Sequence, residues 1–274
     1  MKANTACIYS FLLLLFCTSA QGQGILFSQY RVILEAGEIR TLQVCNPTDV
    51  TRSYRLYAMD KEMKDGGKLV DIPVSINYPT SLKNQIRIFP KRITLAPNEC
   101  QEVQLQLKNT SNLPDGEFRS FLYFLPLISN EIKQPDSVVA VKGTTPAIIM
   151  RIGAAIPIFF RKNSTVEKVS IDNVSLKKDS IGKHQLNLRL NKKGNQSVFG
   201  AIQIHSKSSG EPIMIGERRG NAIYAETNWK ELYIPLSIDS LDTDASGKIP
   251  LSITYINSEE GGKEEILTEW NGAL

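Results

Sequence analysis

The chain has 274 residues, of which 42% are hydrophobic and 22% are charged, with 32 Lys and Arg against 28 Asp and Glu. This length is sufficient for two hydrophobic cores, and the ordinary hydrophobic content excludes wholesale disorder and a multispan membrane protein. The formal net charge of +4 is small, and the basic residues are scattered among acidic ones. This distribution does not indicate a nucleic-acid-binding protein.

Residues 1–22 are predicted to be a signal peptide. Lys2 supplies the positive n-region, and Ile8–Phe16 is an apolar stretch too short to span a bilayer comfortably. A small-residue region then favours cleavage after Ala20 or Gly22. A lipid-anchored Cys17 is the alternative. The sequence therefore predicts secretion and no membrane insertion.

Two cysteines, Cys45 and Cys100, remain after this cleavage. An even pair in an oxidising compartment favours a disulfide, and each cysteine lies at the end of a predicted strand. A disulfide that closes the loop between these two cysteines would contribute about 4 kcal/mol to the stability of the fold in the chain-entropy model. Two buried free thiols are the alternative.

From residue 25 onward, short apolar-alternating runs are separated by turn residues, and no window shows a helical stripe. This pattern is typical of a β-sandwich or barrel. The strands predicted in the first half are Ile25–Leu34, Ile39–Cys45, Arg52–Met59, Gln85–Phe89, Ile93–Leu95, Cys100–Leu107 and Phe118–Leu127. Residues 128–146 are polar and are predicted to form a long loop.

The next predicted strand, Ile148–Phe160, is unusually long. Its even-numbered residues are apolar without exception and its odd-numbered residues are mixed, which indicates a strand. At full extension it would span roughly 44 Å. Such a strand either runs into a second domain or offers its edge to another chain, and we expect both.

The apolar pattern stops at residues 161–165, which sets the predicted domain boundary: an N-terminal domain of residues 23–160 and a C-terminal β-sandwich domain of residues 161–274. The fold class is therefore all-β, with two sandwiches. The strands predicted beyond the boundary are Val166–Leu176, His184–Leu190, Ser197–His205, Ile213–Ile215, Ala222–Glu226, Leu232–Ile238, Ile249–Ile256 and Glu265–Trp270.

Catalytic chemistry is not indicated. The two histidines, His184 and His205, lie on predicted strands, where an ordinary surface or half-buried histidine is the simpler interpretation. No spacing suggests a nucleophile–base pair, a zinc site or a phosphate-binding glycine loop. We expect no enzyme activity, no cofactor and no metal.

Three stretches together resemble the periplasmic chaperones of pilus assembly, the PapD-like family. The first is Phe89–Asn98 followed by Gln101–Leu105, with its aromatic-Pro, basic residue and alternating strand. The second is Leu113–Phe124, similar to the family's Leu-Pro and Arg-x-Ser segment. The third is Phe159–Arg161, an aromatic pair and arginine at the expected domain junction. The similarity is with a divergent branch of the family, and it is loose in the second domain.

This resemblance implies two immunoglobulin-like sandwiches arranged as a boomerang, in the periplasm. It also implies donor-strand complementation, in which the chaperone lends a strand to a pilus subunit that lacks its final strand and then delivers it to an outer-membrane usher. Pilus or fimbrial subunits and the usher are the implied partners; no nucleic acid is implied. Whether the free protein forms a self-capping dimer is left open.

The resemblance also implies site residues. The donor residues would be Ile148, Met150 and Ile152, with Ala154 a shallower contact. The alternative is that this row faces the protein's own core, as is also considered for Ile156 and Ile158.

Arg31 falls where the family holds the subunit's terminal carboxylate. The family binds this carboxylate with a second basic residue as well, and Pro157 stands at the position of that residue. Either Arg31 therefore acts alone or another basic residue takes its place. Arg161 matches the hinge arginine, but its usual acidic partner is replaced by Arg119. We expect Glu117 or a residue of the second domain to take that part.

Two other classes compete with the chaperone. A secreted two-domain adhesin or binding module would keep its own strands paired and expose no alternating edge. A secreted enzyme on a β-sandwich would need a polar cleft that the two histidines hardly provide.

Overall fold

The computed structural model describes residues 24–127, 152–208, 211–237, 247–257 and 264–274, which form eighteen β-strands and no helix. The strands of the first half are β1 (Leu26–Phe27), β2 (Val32–Ile33), β3 (Ile39–Cys45), β4 (Arg52–Met59), β5 (Lys61–Met63), β6 (Leu69–Asp71), β7 (Ile86–Phe89), β8 (Arg92–Leu95), β9 (Cys100–Leu107), β10 (Gly116–Leu127) and β11 (Ala154–Lys162). Those of the second half are β12 (Val166–Lys178), β13 (His184–Gly194), β14 (Val198–Ser206), β15 (Ile213–Ile223), β16 (Trp229–Pro235), β17 (Pro250–Asn257) and β18 (Ile266–Ala273). The predicted signal peptide and long loop lie outside the described residues.

The first sandwich packs a four-stranded sheet, β1-β3-β9-β7, against a five-stranded sheet, β2-β11-β10-β4-β8. A small hairpin, β5-β6, lies beside them. Side chains that alternate along the strands meet in one buried cluster, which includes Leu42, Leu56, Leu105, Leu122 and Ile158. Burial of every second residue is what a sheet with one face on the core requires.

The second sandwich packs a three-stranded sheet, β12-β13-β16, against a four-stranded sheet, β15-β14-β17-β18. Its core is a separate cluster that includes Leu186, Leu188, Ile202, Ile253 and Tyr255. The prediction of an all-β protein with two sandwiches is therefore confirmed. The boomerang arrangement stays a prediction.

A third buried cluster joins the two sandwiches. The first contributes Met63, Phe121 and Phe159, and the second contributes Phe199 and Tyr224. The rings of Phe159 and Phe199 meet edge to face with centroids 5.2 Å apart, a favoured geometry for aromatic pairs. The two sandwiches therefore share buried apolar surface.

The disulfide between Cys45 and Cys100 is confirmed. The two cysteines are directly opposite each other in the antiparallel pair of β3 and β9. Alternation alone predicted the bounds of both strands, because apolar residues that are buried alternate with exposed polar residues along the greater part of each.

Two predicted strand assignments were wrong. Ile25–Leu34 is not one strand: β1 pairs with β3 in one sheet and β2 pairs with β11 in the other, so the chain changes sheets across its polar centre, where Tyr30 is 70% exposed. Ile213–Ile215 and Ala222–Glu226 are not two separate strands. A single strand, β15, runs through the polar residues between them, with irregular pairing to β14.

Candidate functional site

The two edges of β11 are paired very differently. On one side, β11 pairs with β10 at nine consecutive positions, from Lys162 opposite Gly116 to Ala154 opposite Phe124. On the other side, β2 pairs with it only at Ile158 and Phe159. Within the described ranges, no strand pairs with the first four residues of β11 on that side. An unpaired strand edge presents backbone donors and acceptors that another chain can use.

The row of even-numbered apolar residues changes its environment along this strand. Ile156, Ile158 and Phe160 are buried in the first core, which confirms the interpretation considered for Ile156 and Ile158. Ala154 is half-buried, and Ile152 is 76% exposed. Ile148 and Met150, the other predicted donor residues, lie outside the described residues. The described part of the row therefore leaves the core toward its N-terminal end.

The regular strand begins later than predicted. Ile152 and Gly153 are not part of β11, which starts at Ala154 and ends at Lys162. At Gly153 the chain passes so close to β10 that an added Cβ would lie 2.9 Å from the carbonyl oxygen of Phe124 and would also overlap the Tyr123 hydroxyl. Gly153 therefore lets the segment carrying Ile152 approach β10 closely.

Arg31 lies directly before β2, beside the open edge. Its guanidinium carbon is 4.0 Å from the centre of the Phe199 ring, a cation–π contact that crosses between the sandwiches. Pro157, on β11, is half-buried opposite Phe121 and contributes neither charge nor a donor. The structure thus brings Arg31 to the contact between the sandwiches.

Arg161, the predicted hinge residue, has an acidic partner on the adjacent strand. Arg161 Nε donates to Glu117 Oε2 at 2.9 Å, and the Glu117 side chain is 1% exposed. The same carboxylate accepts from the backbone N–H of Ser197 at 3.1 Å and from the Ser197 hydroxyl. Glu117, one of the two alternatives drawn from the sequence, therefore connects Arg161 to the second sandwich.

Arg119 has a partner that the sequence did not indicate, Glu226 of the second sandwich. Two guanidinium nitrogens of Arg119 donate to the two Glu226 oxygens at 2.6 and 3.0 Å. Glu226 also accepts from the backbone N–H of Met63 at 2.7 Å. Arg119 further lies 3.7 Å over the ring of Tyr224. The carboxylate was missed because it is 107 positions away in the chain.

Lys192 is a buried cation in the same region, although it lies beyond the end of the predicted strand His184–Leu190. It lies in β13, is 3% exposed, and donates from Nζ to the carbonyl oxygen of Gly194 at 2.8 Å. Burial lowers the pKa of the Lys192 ammonium, and the carboxylates of Glu117 and Glu226 oppose that shift. The strand ends at Gly194, four residues beyond its predicted end at Leu190.

The two histidines lie in different sheets, His184 in β13 and His205 in β14. Among the residues that the structure describes, no group of His, Cys, Asp and Glu could hold a metal ion. The same residues contain no helix of the length and apolarity that a membrane crossing requires.

No protein-family model and no curated protein matches the chain. Solved structures do match it over most of its length. The CupB2 chaperone of Pseudomonas aeruginosa is 14% identical, with 91% of this chain and 100% of that chain covered and a TM-score of 0.44. The CsuC–CsuE chaperone–tip subunit complex of Acinetobacter baumannii is 14% identical, with 89% of this chain and 97% of that chain covered and a TM-score of 0.46. The complex of SafA pilin with the SafB chaperone of Salmonella enterica is 13% identical, with 91% of this chain and 96% of that chain covered and a TM-score of 0.45.

Proposed function

We propose that the protein is a periplasmic chaperone that binds pilus subunits by donor-strand complementation. The observation that carries this proposal is the backbone edge along the N-terminal half of β11 that no described strand covers. Ile152, which precedes this edge and continues the even-numbered apolar row, is 76% exposed. A subunit lacking one strand would pair with this edge through its backbone, and alternate apolar side chains would fill the subunit's open groove. The donor residues are Ile148, Met150 and Ile152, with Ala154 a shallower contact.

The energetics of this contact are adequate. Transferring three such apolar side chains from water into a groove contributes roughly 5–8 kcal/mol before the costs of ordering. The structure supports a small ordering cost at the C-terminal end of the strand, because β11 is already paired with β10 along its whole length. Covering the edge also prevents subunits from associating through it prematurely.

Arg31 is proposed to bind the terminal carboxylate of the subunit, and Lys192 to be the substitute for the base missing at Pro157. Arg31 and Lys192 belong to the same electrostatic environment. Besides burial, the charges of Arg31, Glu117 and Glu226 all affect the pKa of Tyr224, and the same two carboxylates oppose the lowering of the Lys192 pKa by burial. Guanidinium and ammonium groups both form strong, charge-assisted hydrogen bonds with a carboxylate, so the side chains of Arg31 and Lys192 suit a terminal carboxylate chemically.

The remaining parts of the proposal follow from the resemblance. Residues 1–22 direct secretion, residues 23–160 form the subunit-binding domain and residues 161–274 form the second domain, with Arg161 at the hinge. Loaded subunits pass to an outer-membrane usher, where another subunit's extension displaces the donor strand. No catalytic step is involved.

Affinity capture from the periplasm tests this function. The protein is expected to retain a small partner that lacks one strand, and Ile152→Asp is expected to abolish that retention. Ile181→Asp is the matched control, because Ile181 is 75% exposed at a turn of the second sandwich. Equal retention of the partner by the two variants, or recovery of a monomer without a partner whether or not the substitutions are present, would contradict the chaperone function and favour the adhesin.

A further inference from the structure

A groove of about 410 Å³ lies on the side of the first sandwich away from β11. In the sheet orders, β8 and β7 are the edges farthest from β2 and β1, and the groove runs between the sheets at those edges. Its walls carry five cationic side chains: Arg55, Lys83, Arg87, Lys91 and Lys108. The groove is therefore separate from the proposed subunit-binding edge.

The positive charge of the groove is not balanced from within. None of the described residues that line it carries a carboxylate. The nearby Asp60 is buried, where it pairs with Lys83 at 3.0 Å and accepts from the Ser120 hydroxyl at 2.6 Å. Among the residues with described positions, the other four cations form no ion pair. Exposed cations elsewhere do pair, as Arg40 does with Glu38.

The strand pairing beside the groove adds to this charge. Arg55 of β4 is directly opposite Arg92 of β8 in their antiparallel pair. Like charges at directly opposed positions destabilise a sheet. Arg92 does not line the groove, but it places a second guanidinium on the same face of the sheet as Arg55. An anion bound beside Arg55 would offset the repulsion between the two arginines.

The uncharged lining supplies further donors. Tyr57, Asn84, Gln85 and Asn109 contribute a hydroxyl and three side-chain amides. Cations stand on both walls: Arg55 and Lys91 near β4 and β8, and Arg87 and Lys108 near β7 and β9. Donors converging from two walls suit an acceptor with oxygens on several sides, which a phosphate group offers and a planar carboxylate does not.

We propose that this groove binds a ligand carrying phosphate groups, with one phosphate contacted from each wall. The proposal is independent of donor-strand complementation. Phosphate groups of a lipid headgroup and of a soluble oligophosphate present the same chemistry, and the two sources differ only in whether a membrane surface is required.

Isothermal titration of the full mature chain with inorganic tripolyphosphate tests the proposal. We expect saturable binding that is tighter than that of orthophosphate and weakens as salt is added. Lys91→Gln with Lys108→Gln is expected to weaken binding at least tenfold. The matched control is Lys168→Gln with Lys178→Gln, two exposed lysines of the second sandwich that remove the same charge. Urea unfolding of each variant verifies that both remain folded.

Two further titrations identify the source of the phosphate groups and the chemical class of the anion that the groove binds. Groove-dependent binding to phosphatidylglycerol vesicles but not to phosphatidylcholine vesicles would assign the phosphate to a lipid headgroup, and binding of tripolyphosphate alone would assign it to a soluble ligand. The proposal is overturned if neither probe binds, if both double variants lose binding equally, or if an oligoglutamate peptide binds as tightly as tripolyphosphate.

Discussion

The two ends of β11 differ in how their side chains are used. Toward its C-terminus, Phe159 packs between the sandwiches and Arg161 pairs with a buried carboxylate. Toward its N-terminus, one backbone edge has no described strand beside it and Ile152 is largely exposed. The comparison shows how one strand can be fixed at one end and available at the other. Fixing the C-terminal end reduces the entropy that a partner would have to remove at the N-terminal end.

The largest effect is expected from Glu117→Ala, which acts at the fixed end. The change removes an acceptor that is 1% exposed and that three donors share, namely Arg161 Nε, the backbone N–H of Ser197 and the Ser197 hydroxyl. The loss is expected to be about 3–5 kcal/mol, because three hydrogen bonds to one buried carboxylate are removed together. Urea unfolding measures the loss.

Glu167→Ala is the control for Glu117→Ala. Glu167 pairs with Lys193 at the surface, where both side chains are at least half exposed. Removing it is expected to leave the urea midpoint almost unchanged. Equal losses in the two variants would mean that burial does not distinguish the two ion pairs.

A smaller loss is expected from Glu226→Ala, which also acts between the sandwiches. The carboxylate accepts two bonds from Arg119 and one from Met63, but its side chain is 17% exposed, so water replaces part of what is lost. We expect a decrease of about 2 kcal/mol in the free energy of unfolding. Glu226→Gln retains one acceptor oxygen and should lose less. A midpoint unchanged in both variants would contradict the role of this pair.

Gly153→Ala tests the boundary between the two ends. The added Cβ would meet the Tyr123 side chain and the Phe124 carbonyl oxygen, so either β10 or the segment with Ile152 must shift. Overpacking of this kind costs about 1–2 kcal/mol. Gly24→Ala is the control, because its Cβ would meet only Arg52, at 3.4 Å. Equal unfolding midpoints for the two variants would show that no close approach exists at Gly153.

Sequence reasoning found what depends on local pattern. Alternation predicted β3, β4 and β9 with their bounds, and the positions of Cys45 and Cys100 at strand ends led to the disulfide. It failed where the chain changes sheets between β1 and β2, and where polar residues continue β15. At β2 the deciding partner is β11, a strand distant in sequence. At β15 the partner is the preceding strand, β14, but the register shifts in that pair interrupt the simple alternation on which the prediction depended.

The same limit applies to the site. The resemblance led to Arg31 and Arg161, and the positive charge of Arg119 predicted that Arg161 pairs with an acid other than the one usual in the family. The pair of Arg119 with Glu226 could not be found in this way, because nothing in the residues around Glu226 distinguishes it from any exposed strand-end glutamate. Lys192 was missed because a Lys-Lys-Gly-Asn sequence ordinarily forms a solvated turn. Here β13 continues to Gly194, and burial together with the carboxylates of Glu117 and Glu226 sets the environment of Lys192.

The smallest effect on stability is expected from Ile152→Asp, although its effect on partner binding is expected to be the largest. Ile152 contributes little to the protein's own core, since it is 76% exposed and precedes the first residue of β11. Its replacement should therefore change the free energy of unfolding by no more than about 0.5 kcal/mol. A charged side chain entering an apolar groove of a partner would be left unpaired there, which is costly. Urea unfolding together with the capture assay separates the two effects. A large loss of stability would mean that Ile152 belongs to the fixed end after all, and the division of β11 into two ends would then have to be moved toward its N-terminus.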